Sequence, residues 1–351
     1  MNQRKQSRRI LSNFVSYNAT NLFVMRTKKI GFIGCGAIAD KMAQTIHNLP
    51  NMACYAVTSR NPERAEAFAR KWNFTKTYDS CEALADDPEI DLVYIATPHT
   101  LHYEQTRLCL KKKKAVLCEK PFTVNARQAE ELFALSEQED VFVSEALWTR
   151  FMPLSVKMQE LLADEHAIGI PQMLTANLGY TLTHKERIIK PELAGGALLD
   201  VGIYTLNLAA MVFGSEPQAI HSVCTKTDSG VDAQENITLL YPNGKIAALQ
   251  SSIMATTDRM GVISGSKGYL IIENINNPER IRLLNKQYET VETFEAPRQI
   301  TGLEYELYAS LRAIEEHKIE TIEMPHKETL RIMRQMDSLR KEWNIVYPAD
   351  Q

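Results

Sequence analysis

The sequence predicts an α/β chain of two domains. A doubly wound parallel sheet of the dinucleotide-binding type comes first, and an α+β domain with a large open, mostly antiparallel sheet follows. Three observations carry this. Strands and helices alternate through the first half, a glycine-rich turn joins the first strand to the first helix, and the second half changes to closely spaced strand-type runs. At 351 residues the chain exceeds one simple core.

The first half reads in order. "KKIGFIG" is a short β-rich run, and "AIADKMAQTIHNL" sets Ile38, Met42 and Ile46 at a helical spacing of four. "MACYAVTS" is a buried-type strand, and Asn61-Pro62 opens the helix "PERAEAFARKW" with proline near its start. "DLVYIAT" is a strand followed by a helix from about His99 to Lys112. "KAVLCEK", "ARQAEELFALSEQ" and "VFVSEAL" complete the alternation as strand, helix and strand. Right-handed βαβ units therefore fill residues 26–148.

From about residue 171 the strands are "QMLTANLGYTL", "QAIHSVCTKT", "ENITLLY", "KIAALQSSIM", "MGVISGS" and "GYLIIEN". Asn-Gly in "YPNGK" is a hairpin signal, and "SGSKG" supplies a second tight turn. The helical segments are "PLSVKMQELLA", "GALLDVGIYTLNLAAMVFG" and the two closing runs "LEYELYASLRAIEEH" and "HKETLRIMRQMDSLRKEW". The second domain spans 149–345. One face of its sheet lacks local helices, so a homodimer or homotetramer through that face is expected.

Residues 1–25 carry Arg4, Lys5, Arg8 and Arg9 with no acidic residue. They resemble an organelle transit peptide. The alternative, which is the simpler one, is an upstream start with Met25 opening the folded protein. Either way they fall outside the fold, and removing 1–24 is expected to leave folding and activity intact.

Composition excludes several classes. A formal charge of −3 gives no reason to expect nucleic acid or an anionic membrane, and no apolar run is expected to reach the length needed to span a bilayer. Six scattered cysteines without a C-x-x-C pair read as reduced core thiols, which fits a cytoplasmic location.

"GCGAIAD" supplies G-x-G-x-x-A at Gly34, Gly36 and Ala39 between a strand and a helix. The first glycine makes the turn and the second admits a pyrophosphate. The third small residue packs helix on strand, and the helix N-terminus holds the anion. An NAD site usually sets an acid at the end of the second strand. Here "TSRNP" sets Ser59 and Arg60 instead, which favours NADP because guanidinium forks onto phosphate. His99 and His102 stand three apart, but no carboxylate or thiol shares their spacing, so no metal is expected. "KKKK" at 111–114 reads as a solvated helix C-terminus.

The chain resembles the Gfo/Idh/MocA family of nicotinamide-dependent sugar and polyol oxidoreductases, within it the branch of dihydrodiol and D-xylose dehydrogenases. The motifs are "GFIGCGAIA", "ATPHTLHYEQ", "VLCEKPFTVNARQAEEL", "EALWTRFMP", "GGALLDVGIYTLNLAAMVFG" and "SGSKG". Relatives usually have glycine before the "KAVLCEK" strand and often at 194; this chain has lysines and Ala194. The resemblance implies cofactor contacts at Gly34, Gly36, Ala37, Ile38, Ser59, Arg60, Thr97, Pro98, His102, Glu119 and Lys120. It places Lys120 beside the nicotinamide and sets Asp200 and Tyr204 where many members have a D-x-G-x-H element. Asp200 and Tyr204, four apart, would share a helix face. Tyr204 is then the acid/base, Lys120 the activator that favours its phenolate, and Asp200 completes the catalytic set. Trp148 and Arg150 are expected as walls of a substrate pocket, or as interdomain packing. His184 is a reserve base. The alternative function is a non-catalytic dinucleotide sensor, which tends to lose such residues.

Overall fold

The computed structural model describes residues 26–214 and 216–350. The basic extension, 1–25, lies outside the described residues.

The first domain runs β1 (Lys28–Ile33), α1 (Ala37–His47), β2 (Met52–Thr58), α2 (Pro62–Trp72), β3 (Lys76–Tyr78), α3 (Cys81–Asp86), β4 (Leu92–Ile95), α4 (His102–Lys111), β5 (Val116–Glu119), α5 (Ala126–Glu139) and β6 (Val143–Ala146). The six strands lie in the order β3-β2-β1-β4-β5-β6, every pair parallel. This is the doubly wound arrangement the alternation predicts, with its crevice at the carboxyl ends of β1 and β4. All four residues of β4 and of β5 are buried, because helices cover both faces. Asn61 caps α2 by accepting the Arg64 amide at 3.0 Å, and Pro62 occupies its first turn. The short β3 and α3 carry too little apolar periodicity to be read from sequence.

Lys113 at φ 58° and Ala194 at φ 51° take the left-handed conformation that glycine adopts most readily. Each costs about 1–2 kcal/mol relative to glycine. Lys113 lies within the lysine run, and its ammonium pairs with Glu139 at 2.6 Å.

The second domain holds α6 (Pro153–Ala163), β7 (Pro171–Gly179), α7 (Ile203–Phe213), β8 (Ala219–Lys226), β9 (Asp232–Leu240), β10 (Ile246–Ser252), β11 (Gly261–Gly265), β12 (Gly268–Glu273), β13 (Arg280–Asn285), β14 (Thr290–Glu295), α8 (Glu304–Glu315) and α9 (His326–Glu342). Its sheet has eight strands in the order β14-β13-β12-β11-β7-β10-β9-β8, antiparallel except for β7 beside β10. The Asn-Gly turn joins β9 to β10, with Asn243 left-handed, and "SGSKG" joins β11 to β12. β13 and the edge strand β14 are additions to the sequence reading.

Three structural findings revise sequence expectations. Pro191–Phe213 does have the length and apolarity of a membrane-crossing helix, yet 83% of its apolar window is buried as the core layer beneath the sheet. It is also not one helix: Leu198–Gly202 forms a π-helical turn before α7. And α8 reaches across to the first sheet. Leu303, Leu307, Leu311 and Ala313 pack in one cluster with Ile30, Phe32 and Leu92 of the first sheet.

Candidate active site

A cleft of about 900 Å³ opens where the parallel strands end against the second domain. At one end Gly34 has φ 105°, and a Cβ there would lie 2.5 Å from the Ala96 carbonyl oxygen, so this turn requires glycine. A Cβ on Gly36 would meet nothing within 4 Å, and α1 begins there with no side-chain cap. Free helix amides beside open space suit a pyrophosphate, so this end of the cleft fits a dinucleotide. Gly34, Gly36, Ala37 and Ile38 line it. Asp40 faces away, accepting from Lys71 and from the Trp72 indole.

Ser59 and Arg60, at the end of β2, also line the cleft. Arg64 joins them from the first turn of α2, its guanidinium donating to the Cys35 carbonyl at 3.4 Å. Sequence reasoning missed Arg64, although its place four residues after Arg60 across a helix start was available. Asp79, from the β3–α3 connection, and Glu82, from the first turn of α3, line the cleft as well.

At the other end the cleft is lined by Thr97, Pro98, His99, Glu119, Lys120, Trp148, Asp200 and Tyr204. Lys120 follows β5, and its bond to Pro121 is cis. Its ammonium donates to the Asp200 carbonyl oxygen at 2.6 Å and contacts Asp200 Oδ1 at 3.3 Å. The Arg187 guanidinium donates to the same Oδ1 at 2.8 Å. Burial would raise the pKa of Asp200, but Lys120 and Arg187 hold it well below the usual carboxylate range. Arg187 was not anticipated; it arrives from a single helical turn, Glu186–Ile189, too short to show a periodicity.

Tyr204 is 7% exposed, and the Lys120 ammonium lies 5.0 Å from its ring centroid, over the π face. Lys120 is thus engaged by Asp200 and meets the Tyr204 ring. Burial, with the nearby Glu119 and Asp200 charges, pushes the Tyr204 pKa well above 10. The Trp148 indole N–H favours the phenolate but lies short of a full hydrogen bond. Glu119 accepts from the Tyr94 hydroxyl at 2.5 Å, and burial raises its own pKa. His99 is held neutral by burial and by His102, its pKa pushed down to about 3, and its Nδ1 lies 3.1 Å from the Ala194 carbonyl.

Two expected site residues are placed elsewhere. Arg150 is buried, its Nε donating to Asn207 at 2.6 Å and its Nη2 to Glu328 at 2.9 Å, so it ties the start of the second domain to α7 and α9. His102 is fully buried behind the cleft wall, its ring nitrogens each 2.9 Å from the carbonyls of Pro121 and Thr97. It holds the two cleft-lining loops together. His184 is not among the cleft residues. Among the described residues no group of three metal-ligating side chains converges.

Residues 28–147 match the family described as "Oxidoreductase family, NAD-binding Rossmann fold", and residues 156–271 match the GFO/IDH/MocA C-terminal domain. The chain belongs to the Gfo/Idh/MocA oxidoreductase family. It is 37% identical over 254 residues to trans-1,2-dihydrobenzene-1,2-diol dehydrogenase of Mus musculus, covering 72% of this chain and 76% of that protein. It is 31% identical to the scyllo-inositol 2-dehydrogenase (NADP(+)) IolU of Bacillus subtilis, covering 92% and 99%. Among solved structures, aldose-aldose oxidoreductase from Caulobacter crescentus shares the fold at a TM-score of 0.80 and 23% identity, covering 91% and 98%. KijD10, a 3-ketoreductase from Actinomadura kijaniata in complex with NADP and TDP-benzene, does so at 0.79 and 23%, covering 90% and 98%.

Proposed function

We propose that the chain is an NADP-dependent dehydrogenase that transfers hydride between nicotinamide and the CH–OH or C=O carbon of a sugar, polyol or vicinal diol. The observation that carries this is the convergence of Lys120, Asp200 and Tyr204 at the far end of a cleft whose near end suits a pyrophosphate. Relatives named for diol and inositol dehydrogenation support the substrate class. The name of the NADP-linked inositol enzyme supports the cofactor, and so do Arg60 and Arg64, two guanidinium groups where a ribose 2′-phosphate would lie.

The bound nicotinamide would supply the hydride donor or acceptor. Tyr204 is the proton-transfer residue. Because its phenol stays protonated at neutral pH, it donates a proton to the carbonyl oxygen in the reductive direction without prior activation. Oxidation runs the same transfer backwards and needs the phenolate, so it is favoured by alkali. Lys120, anchored by Asp200, donates to the substrate oxygen and keeps a positive charge beside it as alkoxide character develops. Trp148 walls the pocket beside Tyr204.

The outer face of the eight-stranded sheet leaves Met173, Val223 and Ile246 at 49%, 69% and 40% exposure, which supports pairing of two copies across it. A screen of NADP⁺ and NAD⁺ reduction against trans-dihydrodiols, inositols and aldoses tests the function. No turnover with any of the three classes would overturn it.

A further inference from the structure

The π turn Leu198–Gly202, which carries Asp200 into the cleft, is bracketed by two buried carboxyl groups from one strand, β9. At its start, the Leu198 amide donates to Asp232 Oδ2 at 2.5 Å. The preceding Gly196 has φ 118°, and a Cβ there would lie 2.2 Å from Asp232 Oδ1. At its end, a Cβ on Gly202 would lie 2.6 Å from Glu235 Oε1. Both glycines thus leave room for carboxyl groups that touch the backbone of the turn.

Strand alternation would put residues 232 and 235 on opposite faces. A register shift in the β8–β9 pairing, opposite Thr225 and Lys226, turns both inward, leaving Asp232 at 0% and Glu235 at 5% exposure. Bulges of this kind re-aim side chains beside active sites. Among the described residues Asp232 Oδ1 and both Glu235 oxygens have no hydrogen-bond partner, although the Ser251 hydroxyl lies close to Glu235. Buried carboxyl groups left this poorly satisfied are costly, and a packing role alone would be better served by apolar side chains.

We propose that Asp232, with Glu235 beside it, is the positioning residue of Asp200: it holds the π turn in the register that presents Asp200 to Lys120 and Arg187. The inference rests on the catalytic reading of Asp200 given above.

Burial pushes the Asp232 carboxyl up to about 6, against the pull of the Leu198, Asp232 and Ala197 amides and of Arg340 on α9. Burial and Asp232 together drive Glu235 well above the usual carboxylate range. The other titratable groups facing the pair are Cys224 on β8 and Tyr347 in the closing segment, both neutral there. Above pH 6 the Leu198 amide therefore meets a carboxylate, and below it a weaker neutral acceptor.

The test is a comparison of Asp232→Asn, Asp232→Ala, Asp200→Asn and the double variant Asp232→Asn/Asp200→Asn. Asp232→Asn should lower kcat by about tenfold, the scale of trading a charge-assisted hydrogen bond for a neutral one, and leave the KM for NADP unchanged. It should also abolish the acid limb of the kcat profile near pH 6. Amide exchange should quicken over 196–204 and stay unchanged across β1 and α1. The double variant should be no slower than Asp200→Asn alone, since Asp232 acts through Asp200. Should Asp232→Ala fail to fold, Asp232→Asn carries the comparison. Wild-type kcat with an intact acid limb in Asp232→Asn, or losses that add in the double variant, would overturn the inference. A wild-type kcat in Asp200→Asn would instead overturn the catalytic reading beneath it, and this inference with it.

Discussion

Tyr204 shows what one residue's surroundings add to its identity. Its type and position are legible in "DVGIY", but its protonation state is not, because that depends on burial and on Glu119 and Asp200 arriving from elsewhere. Tyr204→Phe keeps the ring and should lose about 10²–10⁴ in kcat, the range for general acid–base catalysis, with little change in NADP affinity. The pH profiles should split: reduction flat through neutrality, oxidation climbing into alkali, as rates measured in both directions would show. Lys120→Met should lose at least as much, and the double variant little more, because groups acting as one unit are not additive. At the cofactor end, Arg60→Ala and Arg64→Ala should each raise the KM for NADP about tenfold or more, since a charge-assisted phosphate contact contributes about 1.5–3 kcal/mol. NAD kinetics should barely move. Arg150 and His102 show the limit of motif reading. Both sit in motifs that line the cleft, yet their side chains turn away to Asn207 and Glu328, and to Pro121 and Thr97. A motif fixes where the backbone passes, not which way each side chain leaves it.

At the scale of elements, periodicity reveals regular pieces and hides irregular ones. The βαβ alternation, the glycine turn and the Asn-Gly hairpin are all local signals, and all appear as read. The π turn at Leu198–Gly202 is invisible in an apolar run, because it is imposed by Asp232 and Glu235 from 30 or so residues away. β14 escaped for another reason: it is an edge strand, mostly exposed and charged, without an apolar face to alternate. The outer face of the same sheet leads to an assembly prediction. Val223→Lys with Ile246→Lys would set charges on its exposed positions without touching the buried face. Light scattering at micromolar concentration should give a dimer or larger assembly for the unaltered chain and a monomer for the variant. A strict monomer in both would refute pairing through this face.

The whole molecule couples its two domains through buried polar groups, and these set its response to pH. α8 packs on the first sheet, and His326 on α9 lies 2.9 Å from the Val143 carbonyl of β6. Burial lowers the pKa of His99, to about 3, and also of His102 and His326. Below about 6.5 the unfolded chain protonates these rings and the fold does not, so their contribution is complete above that pH and is lost on acidification. Buried carboxyl groups act in the opposite sense. Glu145, which accepts from the Phe122 amide and the Thr329 hydroxyl, is pushed up to about 7 by burial. Between about 4.5 and 7 the fold holds a proton on it that the unfolded chain releases, so stability rises as pH falls through that window. The windows overlap from about 4.5 to 6.5, where the two effects oppose each other. Replacing one side should expose the other. Glu145→Gln removes a titrating carboxyl and should make Tm fall more steeply from pH 7 to pH 5 than in the unaltered chain. His102→Gln should make it fall less. Calorimetric Tm at several pH values checks both slopes, and parallel slopes in all three proteins would refute the coupling.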